Sequence, residues 1–160
     1  MPSKLSPTAA AALGAALLAL TGAGLSAASA ADAPALGDKA AIRQAMMKDT
    51  GAAMGVMARI AKGEAEFNAE AVLGALRTMN AVSLGLHDQF PEGSETATSE
   101  AGPKIWAEPD AFEAAVAKFV ADTTAAVALA PTDAEGMKQA MGLVGANCKG
   151  CHTDFRVKKN

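Results

Sequence analysis

Apolar positions recur every three to four residues along four stretches of the chain. This period predicts helices that each bury one face. The first is predicted over Lys39–Lys62 and the second from Asn68 to about His87. A third begins within "EPDAF" at 108–112, and the fourth follows Pro131. Strand signals are nearly absent, since there is neither sustained alternation nor a hairpin dipeptide between β-branched runs.

Capping residues mark where three of these helices begin. Asn68 is a good N-cap, and Phe67 before it can pack onto Val72. Pro109 suits the first turn of the third helix. The Thr132–Glu135 segment has the T-x-x-E spacing of a capping box, so we expect Thr132 to cap the fourth helix.

A single long loop separates the second and third helices. It contains the helix-breaking residues Pro91, Gly93, Gly102 and Pro103. Ile105 and Trp106 are expected to anchor it to the core. Four long helices with three connections predict an all-α fold, an antiparallel four-helix bundle.

The first thirty residues have the order of a secretory signal peptide. Lys4 precedes an apolar run from about Ala9 to Leu20, and Ala28-Ser29-Ala30 is an A-x-A cleavage pattern. The alternative, an uncleaved membrane anchor, is weaker because the apolar part is shorter than the ~20 residues that a span needs. We expect cleavage after Ala30, a single domain over 31–160, and export to the periplasm.

Charge and cysteine content narrow the classes of function. Without Lys4 the mature chain has 13 basic and 17 acidic residues, a net charge of −4. A mildly acidic chain with no basic stripe argues against nucleic-acid binding. In an oxidising compartment the two cysteines are expected to be chemically occupied.

The predicted fourth helix carries both cysteines on its apolar face. That face repeats in steps of four and three through Met137, Met141, Val144, Cys148, Cys151 and Phe155. At about 100° per residue, His152 lies about 40° around the helix from Cys148. The two thiols and the imidazole therefore share one side of one turn.

The sequence C-x-x-C-H is the attachment motif of c-type haem. Two thiols about one turn apart can each form a thioether to one haem vinyl group, which here predicts attachment through Cys148 and Cys151. The adjacent His152 would then supply the fifth iron ligand.

Three other interpretations of these cysteines are weaker. A redox-active C-x-x-C normally lies at a helix N-terminus, whereas this one lies near a C-terminus. A zinc site would have to recruit His87, and the adjacent pair Cys151-His152 is poor tetrahedral geometry. A disulfide within one helical turn would constrain the chain little.

The chain resembles the cytochromes c′ and their low-spin relatives, the cytochromes c-556. The resemblance rests on "IRQ" at 42–44, "AKGEAEFNAEAV", "PKIWAEPDAF" and "ANCKGCHTDFR", in that order. It implies a four-helix bundle with one covalently bound haem c. In this family the first helix offers either an apolar residue or a methionine to the sixth iron position, and the matching residue here is Met47.

Helical periodicity alone does not choose this ligand. Arg43, Met47 and Met54 fall on one face of the first helix, within about 60° of one another. Either methionine could therefore reach the iron, and both could instead be flexible core filler. The resemblance favours Met47 as ligand and leaves Met54 in the core.

Four further polar residues are candidates for the site or its surroundings, and two of them have alternative interpretations. Arg43 and Gln44 match family positions that contact the haem, although Arg43 could also be an ordinary exposed basic residue. Arg156 could shield the imidazole or complement the helix C-terminus. His87, at a loop entry, is expected to lie on the surface.

The function predicted is single-electron transfer through a haem with His/Met ligation. The alternative is a five-coordinate cytochrome c′ that binds small gases such as NO and CO. No nucleophile–base or paired-carboxylate pattern can be placed in a site, so we do not expect an enzyme. The expected partners are unidentified redox proteins. The resemblance also implies that two chains could pair as a homodimer through the first two helices. We do not expect the mature protein to be embedded in a membrane.

Overall fold

A computed structural model describes residues 37–96 and 99–158. The predicted signal peptide and its cleavage site lie outside them. Four long helices account for most of the described chain: α1 (Lys39–Ala61), α2 (Ala69–Leu86), α4 (Pro109–Ala128) and α5 (Ala134–Phe155). A short helix, α3 (Lys104–Ala107), precedes α4, and His87–Gln89 form one 3-10 turn after α2. The four predicted helices are confirmed, whereas α3 was not predicted.

The helix termini follow the capping chemistry with one correction. Asn68 Oδ1 accepts a hydrogen bond from the Ala71 amide at 2.8 Å, as predicted for the start of α2. The prediction that Thr132 caps α5 is wrong, because the N-cap is Asp133 and its Oδ1 accepts from the Gly136 amide at 2.8 Å. A carboxylate is favoured here because it also interacts with the positive end of the helix dipole.

Polar contacts fix the antiparallel register of α2 and α4. Ser83 Oγ lies 2.9 Å from Thr123 Oγ1. His87, one residue beyond α2, lies 2.6 Å from the Glu113 carboxylate near the start of α4. Higher numbers on α2 therefore face lower numbers on α4. The predicted antiparallel bundle is the observed fold.

The helices follow one another around the bundle in the order α1, α2, α4, α5. Neighbouring helices pack closely at α1–α2, α2–α4 and α4–α5, whereas α1 and α5 approach each other at far fewer points. The core is apolar, and its largest fully buried apolar side chains are Met57, Val72, Leu76, Met79, Met137 and Val144. Burying each contributes roughly 1.5–3 kcal/mol. The α1–α5 seam is thus the open side of an otherwise well-packed bundle.

The long loop is fastened to the end of α5 by backbone contacts. The Gly102 amide donates to the Phe155 carbonyl at 2.7 Å, and the Val157 amide donates to the Glu100 carbonyl at 2.9 Å. A Cβ atom at position 102 would lie 2.9 Å from that Phe155 oxygen. Glycine is therefore required for this close approach.

The predicted anchors of the loop are also in place. Ile105 is buried, and the Trp106 indole donates a hydrogen bond to the Phe90 carbonyl at 3.1 Å. These contacts hold the loop over the same end of the bundle at which α1 begins and α5 ends.

Candidate functional site

The last two turns of α5 carry the C-x-x-C-H side chains. Cys148 and Cys151 are half-buried free thiols, and Cys148 Sγ lies 3.8 Å from the Val144 carbonyl. His152 is exposed. Because α5 ends at Phe155, this motif lies at a helix C-terminus, which disfavours the redox-active C-x-x-C interpretation.

The residue before the first cysteine holds this segment in register. Asn147 is buried, and its Nδ2 donates to Asp122 Oδ2 at 2.7 Å and to the Leu143 carbonyl at 3.0 Å. Asp122 also accepts a hydrogen bond from Lys118. Hydrogen bonds from Lys118 and then Asn147 lower the pKa of Asp122. A charged link between α4 and α5 thus fixes the rotation of the motif.

Burial governs the acid–base behaviour of the motif. It raises the pKa of both thiols, and for Cys151 the neighbouring Cys148 and Asp154 add to this effect. Although His152 is exposed, partial burial of its ring and then Arg156 lower its pKa, against an opposing effect of Glu100. A lowered pKa favours the neutral imidazole, which is the form that binds metals.

A cleft of about 530 Å³ lies along the open α1–α5 seam. From α5 it is lined by Cys151, His152, Phe155 and Arg156, and from α1 by Ala40, Arg43, Gln44, Met47 and Lys48. The rings of Phe90, Phe112 and Phe155 stack edge to face, with centroids 4.7 and 5.3 Å apart, and form an aromatic wall. The cleft therefore brings together five of the six predicted site residues.

The sixth predicted residue, Cys148, lies just outside this cleft. It lines a second, more open depression, together with Lys149, Thr153 and Lys158. His152 and Arg156 line both spaces. The two cysteines thus border different spaces, and His152 borders both.

The half-buried methionines of α1, Met46, Met47 and Met54, all pack against the hydrophobic core, but only Met47 also lines the cleft. Met47 is half-buried and lines the cleft. Met54, two turns further along the same face, packs against the hydrophobic core and is absent from the cleft lining. Met46 also packs against the core, and its Cε lies near Gly85 of α2.

Arg43 is buried, with 5% of its surface exposed, so the interpretation as an ordinary exposed basic residue is wrong. Its guanidinium lies 4.9 Å from the Phe90 ring centroid. It donates four hydrogen bonds of 2.7–3.0 Å to the Gln89 carbonyl, Ser94 Oγ, the Ser94 carbonyl and Ser99 Oγ. Burial lowers the pKa of Arg43, with Asp38 and Glu95 opposing. No local pattern in the sequence signals these loop contacts.

The other predicted side chains lie as follows. Gln44 is exposed and lines the cleft. His87 is exposed and paired with Glu113, as expected for a surface histidine. Arg156 pairs with Glu100 of the loop, a contact that neither sequence interpretation included.

A zinc site finds no support in the described residues. Within 37–96 and 99–158, no group of three or more His, Cys, Asp or Glu side chains is arranged to hold a metal ion. His87, which such a site would have to recruit, is engaged with Glu113 instead.

The cleft suits a flat, largely apolar prosthetic group. Its volume falls in the range of roughly 300–1,000 Å³ typical of small-molecule sites. One wall of the cleft is aromatic, the Met47 thioether and the His152 imidazole line the cleft from α1 and α5, and two thiols lie within one turn of that imidazole. These are the donor types that hold and ligate haem. Fold, motif and cleft together define a c-type haem protein built on a four-helix bundle.

Comparison with known proteins identifies the family. Residues 38–156 match the family model described as Cytochrome C'. Cytochrome c-556 from Agrobacterium fabrum is 45% identical over 117 residues, which are 73% of this chain and 80% of the relative. Cytochrome c′ from Rhodopseudomonas palustris is 38% identical over 124 residues, 77% of this chain and 84% of the relative. The chain belongs to the cytochrome c′ family, and its cofactor is covalently bound haem c with iron.

Solved structures support the same assignment. Cytochrome c′ from Rhodopseudomonas palustris superposes with a TM-score of 0.72 at 37% identity, covering 77% of this chain and 98% of that one. A structure of oxidised cytochrome c-556 from R. palustris gives a TM-score of 0.69 at 32% identity, with the same coverage. None of the helices in the described part of the chain is long and apolar enough to cross a membrane.

Proposed function

We propose that this protein is a periplasmic electron carrier whose haem iron has His/Met axial ligation. The observation that carries the proposal is that Met47 and His152 line the same cleft from its two helical walls, α1 and α5. Thioether sulfur is a soft, neutral ligand, and His/Met ligation raises the reduction potential. An iron with both axial positions filled passes electrons with little change in its surroundings.

The proposed roles of the other site residues follow from their positions. Cys148 and Cys151 would provide the two thioether anchors, both within one turn of His152 on α5. The aromatic wall excludes water from the bound group. Gln44 would contact the bound haem from α1, and Arg43, which lines the same cleft, holds the loop.

Delivery to the periplasm is part of the proposal. It rests on the signal-peptide pattern of residues 1–30, with cleavage after Ala30. The redox partners would then be other periplasmic proteins, and no substrate turnover is assigned to the site.

The decisive experiment compares two methionine variants in the holoprotein. Met47→Leu should convert a low-spin absorbance spectrum to a high-spin one and abolish the methionine–iron charge-transfer band. The matched control, Met54→Leu, removes a thioether from the same helix face and should leave the spectrum unchanged. A spin change in Met54→Leu alone would show that Met54, and not Met47, is the sixth iron ligand. A high-spin wild-type protein would refute His/Met ligation altogether.

A second candidate function is gas binding at a five-coordinate iron. It is favoured by a likeness to cytochrome c′ of Alcaligenes xylosoxidans, 28% identical, of which a mutant was solved as a nitric oxide complex. In that case Met47 would only pack in the cleft, and carbon monoxide would readily change the spectrum of the reduced wild-type protein. A spectrum insensitive to carbon monoxide in wild type but sensitive in Met47→Leu supports electron transfer instead.

Pairing of two chains through α1 and α2 stays a prediction. One cytochrome c′ of solved structure shows ligand-controlled dimer dissociation. Sedimentation of the holoprotein with and without carbon monoxide would test whether the present chain behaves similarly.

A further inference from the structure

A short piece of the long loop bridges the open α1–α5 seam. Residues 99–102 contact α1 at one end and the end of α5 at the other, and Ser99, Glu100 and Ala101 line the cleft. The two helices that carry the proposed iron ligands approach each other directly at few points. Residues 99–102, called the strap below, therefore add contacts across the seam that direct packing of α1 on α5 does not supply.

Arg43 attaches the strap to α1. Its Nη2 donates a hydrogen bond to Ser99 Oγ at 3.0 Å, and both side chains are buried. The same hydroxyl oxygen accepts from the Ala101 amide at 3.1 Å, which ties the serine side chain to the backbone of the strap. A hydrogen bond from a charged donor is stronger than one between neutral groups, and leaving a buried donor unpaired is costly. The attachment to α1 is therefore firm.

Arg156 attaches the other end of the strap to α5. Its Nε donates to Glu100 Oε2 at 2.6 Å, and the backbones at positions 101 and 156 form an antiparallel bridge. The backbone hydrogen bonds of Glu100 and Gly102 to the end of α5 add to this attachment. The ion pair is partly exposed, so it contributes less than the buried contact at Ser99.

Each attachment point lies four residues from a proposed iron ligand. Arg43 precedes Met47 on the same face of α1, and Arg156, the C-cap of α5, follows His152. All four of these side chains line the cleft. Because four residues are about one turn of a helix, fixing an attachment point also fixes the turn that carries the ligand. The strap thus constrains the width of the seam where both ligands lie.

We propose that the strap positions the sixth iron ligand, with Ser99 and Glu100 as positioning residues that hold the α1 wall close enough for Met47 to bind. The proposal rests on the His/Met electron carrier proposed above and adds what keeps its methionine ligand in place. If Met47 leaves by movement of its turn away from α5, the strap contacts must break. Weakening the strap should therefore loosen methionine ligation while the bundle stays folded.

Cyanide binding to the oxidised holoprotein measures how often Met47 leaves the iron. Hydrogen cyanide at neutral pH replaces the thioether, releases its proton to solvent and leaves the oxidation state of the iron unchanged. At high cyanide concentration the binding rate should level off at the rate of methionine departure. Ser99→Ala should raise this limiting rate about tenfold, because it leaves a buried guanidinium N–H unpaired. Glu100→Gln should raise it about two- to fourfold, and it repeats the test if Ser99→Ala does not fold.

Matched variants on the opposite side of the bundle separate positioning from general stability. Ser83 is also a buried serine, and its hydroxyl makes hydrogen-bond contacts on α2 and α4. Ser83→Ala should therefore cost comparable stability and leave the limiting rate unchanged. Glu113→Gln makes the same charge change as Glu100→Gln, but at the contact with His87, and should also leave the rate unchanged.

Heating the oxidised holoprotein gives an equilibrium readout of the same effect. In both strap variants the methionine–iron charge-transfer band should disappear at a lower temperature than the helical circular dichroism, whereas Ser83→Ala should lower both midpoints together. Equal limiting rates and equal midpoint differences in the strap and control variants would overturn the strap and leave Met47 ligation standing. A high-spin wild-type spectrum would overturn both proposals, because Met47 would then not bind the iron.

Discussion

Replacing Arg43 with methionine tests how strongly α1 holds the long loop. The variant keeps an unbranched apolar stem and removes four hydrogen bonds to Gln89, Ser94 and Ser99. At about 0.5–1.5 kcal/mol net per bond, the loss is roughly 2–6 kcal/mol. The serine hydroxyls can reorient, and removing a buried charge recovers part of its desolvation cost, so we expect a loss of about 3 kcal/mol in the free energy of unfolding.

Thermal unfolding of the holoprotein, followed by far-ultraviolet circular dichroism, measures this loss. For a domain of this size 3 kcal/mol lowers Tm by roughly 10 °C. The control is Arg59→Met in the last turn of the same helix, where the arginine is exposed and Tm should change by less than about 2 °C. Amide hydrogen exchange should rise first in segment 94–102. Equal Tm values for the two variants, with exchange unchanged in that segment, would refute the role assigned to Arg43.

Two further predictions concern stability. Gly102→Ala should lower the free energy of unfolding by about 1–3 kcal/mol because its Cβ meets a backbone oxygen. Gly142→Ala, in open space on α5, should instead raise it by about 0.5–1 kcal/mol. Urea unfolding measures both changes, and changes of the same sign would contradict the close approach at Gly102. The pKa of Asp122 is lowered on folding, so its stabilisation is present above its unfolded pKa and is lost as pH falls through the folded value. Asp122→Asn should therefore flatten the decline of Tm below about pH 4, while the exposed Asp49→Asn should keep the wild-type slope.

The main helices were predictable because each buries one face, and burial imposes the 3.6-residue period. Their precise starts depend on local competition: Asp133 replaces Thr132 as N-cap because its carboxylate also meets the helix dipole. The helix Lys104–Ala107 is only one turn long, too short to show a period. Its position is set instead by packing of Ile105 in the core.

The candidate site was likewise predictable only where its residues are close together in the sequence. The motif on α5 is local, so its spacing alone identified Cys148, Cys151 and His152 as a group. Met47 required the family resemblance, because helical geometry allowed Met54 equally well. The contacts of Arg43 depend on loop residues 46 to 56 positions away, whose backbone path no local pattern encodes.

The open seam has a consequence for how the chain could be reconnected. Met47 and His152 are 105 positions apart, yet α1 begins and α5 ends at the same end of the bundle. A circular permutation could break the chain between Leu129 and Asp133 and join the end of α5 to the start of α1. The two walls of the cleft would then be consecutive helices of one hairpin, which lowers the loop-closure entropy of bringing them together. Met47 and His152 would then be brought together by two helices adjacent in the sequence, instead of by closure of the whole four-helix bundle.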